Sequence, residues 1–310
     1  MLDYIVYALL FILTAIVSGN NLPACSGAII SGRIVAKRFG IAVTIVGYIA
    51  GFLVQGSFLR AGLLALLPVQ SEALIVLAMA ISFLVFIISH MLRVPQSLSM
   101  TLAMAFVGIS LGYGKYPNIA FTSGMLLFWA ISTISAAVLA IIAINAIRRT
   151  GQRANIWKTV RYAKLILIVL SFLAAFVLGA NTIGFLFESV SSIMYGPYVV
   201  AIIVAAVVFG SVAFSGGELR MIGSNILPLR YMNALVSQAT SIAIVELATL
   251  FSIPASNTQT FTASLYGAGL SYGTRIIRKR PLAIILASWI GTAGASFLLG
   301  FLISLAMRSI

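Results

Sequence analysis

The stretch 253-IPASNTQTFTASLYGAG-269 carries seven Ser, Thr, Asn or Gln side chains, yet it lies between two long apolar segments. An earlier stretch, 94-VPQSLSMTLAMAFVG-108, repeats its layout. With Pro95 set on Pro254, Ser97 falls on Ser256, Ser99 on Thr258, Thr101 on Thr260 and Gly108 on Gly267. Each Pro precedes its Gly by 13 residues.

Proline lacks an N–H, and its ring clashes with the preceding turn, so it ends or kinks a helix. The residues just after it are therefore expected at a helix start. There the first backbone N–H groups have no intrahelical partner, and the positive end of the helix dipole attracts an anion. Hydroxyl side chains add donors without adding charge. Two such starts, one from each copy, would form a neutral, donor-rich cradle for an oxyanion. The plainer reading is that these hydroxyls cap helices or pack between them, as small polar residues do in membranes. One copy alone favours that reading; two at matched spacing favour a site.

Working outward, the composition decides the solvent. The chain has 310 residues, of which 62% are hydrophobic and 8% charged. Its mean hydropathy is +1.15. Soluble domains carry about 25% charged residues, so this is a polytopic membrane protein. Its apolar runs are long enough for helices rather than for barrel strands of about ten alternating residues. The net charge of +14 does not signal nucleic acid, because the basic residues sit in short clusters between apolar runs. Such clusters encode membrane orientation. One cysteine (Cys25) and one histidine (His90) leave no internal disulfide, no Cys/His metal cluster and no Ser–His–Asp set. An enzyme is therefore not expected. The first apolar run, preceded by Asp3, reads as the first helix rather than as a cleaved signal.

That helix is expected over residues 3–17, ending in a break at Ser18-Gly19-Asn20-Asn21-Leu22-Pro23. Further helices are expected over 41–59, 73–91 and 119–147, with the Pro95 stretch between the last two. A basic connector at 148–164, partly an amphipathic surface helix, then separates two halves, 1–147 and 165–310. The second half replays the first. A helix over 165–178 ends in Gly179-Ala180-Asn181-Thr182, and Asn181 lies 161 residues beyond Asn20; the two motif prolines are 159 apart. Helices over 199–214, 231–251 and 282–307 follow, with a polar loop at 215–230.

Five spans per half force the second copy to insert upside down. With both termini outside, sixteen basic residues fall inside and three (Arg60, Lys115, Arg308) outside, as the positive-inside rule requires. The expected fold is thus all-α: a multi-pass protein of the cytoplasmic membrane with two inverted-topology repeats of about five helices each. Broken or re-entrant helices would sit at the midplane. Inverted repeats with broken helices are the build of secondary transporters, whose substrate lies between the repeats. Four segments, 19–27, 95–101, 179–184 and 254–260, are expected to converge, and none contains Lys, Arg, Asp or Glu.

In these motifs the chain resembles the inorganic phosphate transporter (PiT) family. That family carries a Gly-Ala-Asn-Asp signature early in each half and a Pro-x-Ser-Thr-Thr-His type motif later in each. Here the signatures read Ser18-Gly19-Asn20-Asn21 and Gly179-Ala180-Asn181-Thr182. The later motifs read Pro95-Gln96-Ser97-Leu98-Ser99-Met100 and Pro254-Ala255-Ser256-Asn257-Thr258-Gln259. The resemblance implies a symporter of inorganic phosphate coupled to sodium or protons, without a cofactor. On that reading Ser97, Ser99, Thr101, Ser256, Thr258 and Thr260, with Asn20 and Asn181, bind phosphate. Asn21 and Thr182 stand where the family has Asp, so a sodium site at Asn20, Asn21, Asn181 and Thr182 would have only neutral oxygens. That departure leaves open sulfate or another oxyanion, and an uncoupled facilitator. Glu246, in mid-helix, and Glu188 are the candidate coupling carboxylates, because an ionisable group within the bilayer is costly and generally functional. Glu218 reads as a solvated partner of Arg220, and His90 and Cys25 as interfacial and packing residues. The partners implied are the oxyanion and lipid, with a homodimer left open.

Overall fold

A backbone in lipid must satisfy its own hydrogen bonds, and this chain does so with helices. The computed structural model describes residues 2–69, 71–92, 96–150, 156–194, 196–224, 231–271 and 279–308. Arg93 and Pro95 lie outside the described residues, as do the side chains of His90, Glu218 and Arg220. In chain order the helices are α1 (Leu2–Ser31), α2 (Lys37–Gln55), α3 (Arg60–Leu66), α4 (Glu72–Met91), α5 (Leu98–Gly112) and α6 (Ile119–Thr150). They continue with α7 (Ile156–Leu178), α8 (Gly184–Ser191), α9 (Pro197–Ser224), α10 (Tyr231–Leu250), α11 (Asn257–Leu270) and α12 (Lys279–Arg308). A 3-10 turn, Gly56–Leu59, joins α2 to α3, and a π-helical turn, Gly179–Ile183, joins α7 to α8.

Among the described residues, eight helices or helix runs are long and apolar enough to cross a bilayer. α5 and α11 are not: at 15 and 14 residues they reach about 22 Å and 21 Å, against a hydrocarbon core of about 30 Å. The stretches that follow the motif prolines therefore form short helices.

Several boundaries differ from the sequence expectation. α1 does not stop at Val17; it runs through Gly19 and Pro23 to Ser31. Proline removes one helical bond, but the helix is held there by α9: a Cβ at Gly19 would lie 2.5 Å from the Phe214 Cβ and 2.9 Å from the Gly210 carbonyl oxygen. The second signature ends α7 at Leu178, as expected, but not in a loop. It widens into the π turn, where Gly179 passes so close to the Tyr48 carbonyl that a Cβ would overlap it. The described residues of the basic connector, 148–150 and 156–164, belong to two long helices, and 151–155 lie outside the described residues. Arg148 and Arg149 close α6, while Lys158, Arg161 and Lys164 belong to α7, which continues into the membrane. Residues 215–224 extend α9 rather than forming a loop.

The close helix pairs come in exchanged couples. A Cβ on Gly51 of α2 would overlap the Phe176 carbonyl of α7, and one on Gly210 of α9 would overlap the Ala15 carbonyl of α1. Gly210 lies 159 residues beyond Gly51, and Phe176 lies 161 beyond Ala15. Likewise Gly108 of α5 abuts the Phe297 carbonyl of α12, and Gly267 of α11 abuts the Ala137 carbonyl of α6. These are separated by 159 and 160 residues. Glycine is needed at each, because helices that lack a hydrophobic driving force in lipid gain by bringing backbones close.

The ends sort into two faces. Arg148 donates to the Ser271 carbonyl at 2.7 Å, which puts the ends of α6 and α11 together. Ala234, near the start of α10, packs with Ala28 and Ile29 of α1 and Leu167 of α7. That face therefore also holds Arg33, Lys37, Arg38, Arg149, Arg161 and Lys164. At the opposite face the Arg308 guanidinium lies against Gly114, beside Lys115. The Asn118 N–H donates to the Ala65 carbonyl of α3, which begins at Arg60. α5 ends on this second face, and α11 ends on the first.

Candidate functional site

Each motif hydroxyl is placed by its helix start. Ser256 is the N-cap of α11: its backbone is extended, and its Oγ accepts the Gln259 N–H at 3.2 Å. Ser97 is the N-cap of α5, likewise extended, but its side chain makes no capping bond. Helix starts without a side-chain cap leave amides for a ligand. Ser97, Ser99, Thr101, Ser256 and Thr260 are buried and Thr258 is half-buried. None of the six lies fully exposed on a lipid-facing surface.

The turn Gly179–Ile183 gathers the two motifs. Ser99 Oγ donates to Thr182 Oγ1 at 3.2 Å, joining the first motif to the second signature. The neighbouring Asn181, fully buried, holds the second motif. Its Nδ2 donates to the Ile253 carbonyl and to Thr249 Oγ1, both at 3.0 Å, and its Oδ1 accepts the Ala255 N–H at 2.8 Å. Trp129 Nε1 donates to the Pro254 carbonyl at 2.8 Å. The extended segment before α11 thus has its backbone satisfied by side chains of α6 and of the turn. Beyond it, Ser256 and Thr258 hydroxyls lie 3.0 Å apart, and Thr260 Oγ1 pairs with Ser241 Oγ of α10 at 2.5 Å. Thr101 turns its hydroxyl back onto the Ser97 carbonyl at 2.8 Å. The result is a connected set from Ser99 through Thr182 and Asn181 to Ser256 and Thr258, built of hydroxyls and amides without a charge.

The first signature is arranged differently. Asn20 is half-buried and Asn21 is buried, with Nδ2 donating to the Tyr48 hydroxyl at 3.4 Å. Among the described residues no group of three or more His, Cys, Asp or Glu side chains could hold a metal. Of the oxygens expected at a sodium site, that of Asn181 already accepts the Ala255 N–H.

The two carboxylates part company. Glu246 of α10 is half-buried and accepts Gln55 Nε2 of α2 at 2.9 Å. Among the described residues, its second oxygen and the Gln55 side-chain oxygen are both buried without a partner. Glu188 is buried near the end of α8, where Ser191 Oγ approaches at 3.4 Å; among the described residues no hydrogen bond joins it to either motif. Sequence reasoning missed Thr249, Ser241, Tyr48, Gln55 and Trp129. Gln55, an amide inside an apolar run, was the one visible signal among them.

With this geometry in view, relatives can be placed. The sequence profile of the phosphate transporter family matches residues 152–300. Just under half of the chain is thus similar to that family. Along 299 residues it is 25% identical to a protein of Methanocaldococcus jannaschii described as "Putative phosphate permease", covering 95% of this chain and 94% of that one. A solved structure titled "The sodium-dependent phosphate transporter" superposes with a TM-score of 0.86 over 100% of this chain and 99% of that chain, at 13% identity. That likeness establishes a shared fold. In this chain, then, two motif-bearing helix starts and two signature segments lie in a polytopic membrane scaffold.

Proposed function

We propose that this chain is a member of the phosphate transporter family, a secondary transporter that carries inorganic phosphate across the cytoplasmic membrane as a symporter. The observation that carries the reading is the Ser99–Thr182–Asn181–Ala255 connection, which draws the first Pro motif and the second onto one turn. Amides at two helix starts and the hydroxyls of Ser97, Ser99, Ser256 and Thr258 supply donors on several sides, as a tetrahedral oxyanion requires. An uncharged site binds such an anion and also releases it, where a buried Arg would hold it. The phosphate permease description of the M. jannaschii relative supports the choice of phosphate.

The exchanged glycine contacts support two inverted repeats, 1–147 and 165–310, as the source of alternating access. Coupling rests on protons at Glu246 in this reading. A protonated carboxyl could return a hydrogen bond to the Gln55 oxygen, giving both orphaned oxygens a partner. Sodium held by the neutral oxygens of Asn20, Asn21 and Thr182 is the alternative; the solved structural neighbour is titled as sodium-dependent.

The test is uptake of labelled phosphate into proteoliposomes under imposed proton or sodium gradients, with arsenate and sulfate as competitors. Ser97→Ala with Ser256→Ala should abolish saturable uptake. Saturable sulfate uptake that phosphate does not compete with would overturn the choice of substrate. Equilibration without accumulation under either gradient would overturn symport.

A further inference from the structure

α10 carries a row of polar side chains that neither motif explains. Asn233, Ser237 and Ser241 recur every fourth residue and so share one face of the helix. All three are buried, with exposures of 3%, 0% and 1%, as is Gln238 beside them at 1%. Ser241 is accounted for by Asn257 Oδ1 at 2.7 Å and by Thr260. The others are not. Among the described residues Asn233 Oδ1, Ser237 Oγ and Gln238 Oε1 are buried and have no hydrogen-bond partner, although Gln238 Nε2 donates to the Cys25 carbonyl at 2.8 Å. Three such orphans within six residues of one helix are costly in a dry interior, and a polar row of this kind is satisfied by water or by a polar solute.

α11 continues the row. It runs antiparallel to α10, with Ser241 level with Thr260. Ser264, fully buried one turn further on, is thereby level with Ser237. The row starts at the motif hydroxyls and ends where α10 begins and α11 ends, on the face bearing Arg33, Lys37, Arg148 and Arg149. It is not a by-product of the shared architecture. At the 159-residue offset the first half has Leu74 for Asn233, Ala78 for Ser237, Met79 for Gln238 and Ala105 for Ser264, all buried and apolar.

We propose that the α10 row Asn233–Ser237–Ser241, with Gln238 beside it and Thr260 and Ser264 of α11 opposite, is the hydrated passage for the oxyanion between the motif site and the basic face. The inference rests on the transporter reading and adds the route and its side. The amide and hydroxyl donors replace part of the anion's hydration as it moves. The cationic helix ends raise its local concentration at the mouth.

Cys25 is the only cysteine, so Cys25→Ala gives a background free of thiols that keeps the carbonyl used by Gln238. In that background Ser237→Cys, Ser264→Cys, Ala78→Cys and Arg149→Cys are reconstituted singly. A membrane-impermeant cationic methanethiosulfonate is applied to one side at a time during phosphate exchange. Only a thiol that water reaches ionises and reacts. Arg149→Cys reports which side carries the basic face. Ser237→Cys and Ser264→Cys should react from that side and be slowed by phosphate, and exchange should fall by about tenfold or more once the adduct fills the passage. Ala78→Cys should stay unreactive from that side. Failure of both serine positions to react, while Arg149→Cys reacts and exchange proceeds, would overturn the passage and leave the transport reading standing. Reaction at both in a Cys25→Ala protein that moves no phosphate would keep the passage and remove phosphate as its cargo.

Discussion

Replacing Asn181 with Ala removes the strut that fixes the second Pro motif. The side chain is fully buried and makes three hydrogen bonds, two of them to the backbone of Ile253 and Ala255. Neutral hydrogen bonds are worth about 0.5–1.5 kcal/mol each, and about 0.6 kcal/mol on average between membrane helices. Three therefore give about 2–4 kcal/mol. Expressed wholly at the site, that is about 30- to 700-fold in affinity. The Ala255 N–H and the Ile253 carbonyl would also be orphaned, which places the loss toward the upper end. Thr249→Val removes one of the three partners and touches no substrate in this arrangement, so it should cost about 1 kcal/mol, or about fivefold. Asn181→Asp keeps the acceptor for Ala255 but loses the donor to Ile253, and should not restore activity. The assay is the concentration dependence of phosphate uptake in proteoliposomes, at folded yields matched by size-exclusion chromatography. Parental uptake by Asn181→Ala at parental yield would refute the strut, and with it the claim that the turn positions the motif.

Three further outcomes are expected. Ser99→Ala and Thr182→Val each raise the phosphate KM, and the double variant costs less than the sum, since each single change breaks the same 3.2 Å bond; strict additivity would show that the bond is idle. Gly51→Val or Gly210→Val drives a side chain into a carbonyl of the neighbouring helix and should lower folded yield sharply, whereas Gly27→Val, which meets nothing within 4 Å, should be tolerated; thermal stability in detergent reads this. Glu246→Gln keeps the shape that faces Gln55 but cannot titrate, so phosphate exchange should persist while accumulation driven by a proton gradient disappears; intact gradient-driven accumulation would exclude Glu246 as the coupling group.

How far the sequence reached depends on the range of the forces involved. The helical membrane class follows from hydropathy alone, and the α4, α6 and α10 segments appear nearly where periodic apolar runs put them. The doubled Pro motif located both short helices, because proline and N-cap chemistry act within a few residues. The first signature failed as a helix break for the converse reason. Gly19 and Pro23 weaken a helix locally, but α9 packs against that level and keeps α1 continuous. Nothing local told that Thr182 rather than Asn21 would meet a motif hydroxyl, or that Thr249 and Trp129 would hold the Pro254 segment from distant helices. The polar face of α10 was legible in principle, as an every-fourth-residue pattern in an apolar helix, yet its meaning needed the burial and the missing partners.

The glycine contacts and the polar inlay follow different rules, and the difference bears on mechanism. Backbone approaches such as Gly51 to Phe176 and Gly210 to Ala15 match across the halves, as the proposed docking of two repeats by the same close packing requires. The polar groups match only in part. Asn181 bridges two backbone groups, while among the described residues Asn21 reaches the Tyr48 hydroxyl; Asn233 and Ser237 correspond, at the 159-residue offset, to Leu74 and Ala78. A scaffold with symmetric docking but asymmetric wetting can rock between two equivalent packings while opening on two chemically different sides. On the proposed transport reading, the side that carries the polar row ends among cationic helix ends that would attract an oxyanion, and the site between would hold it without charge. Restoring the row in the apolar half, by Leu74→Asn with Ala78→Ser, should therefore hydrate the opposite route and raise uncoupled leak of phosphate. An unchanged leak in that variant, at parental folded yield, would show that the asymmetry has no part in keeping the two sides separate.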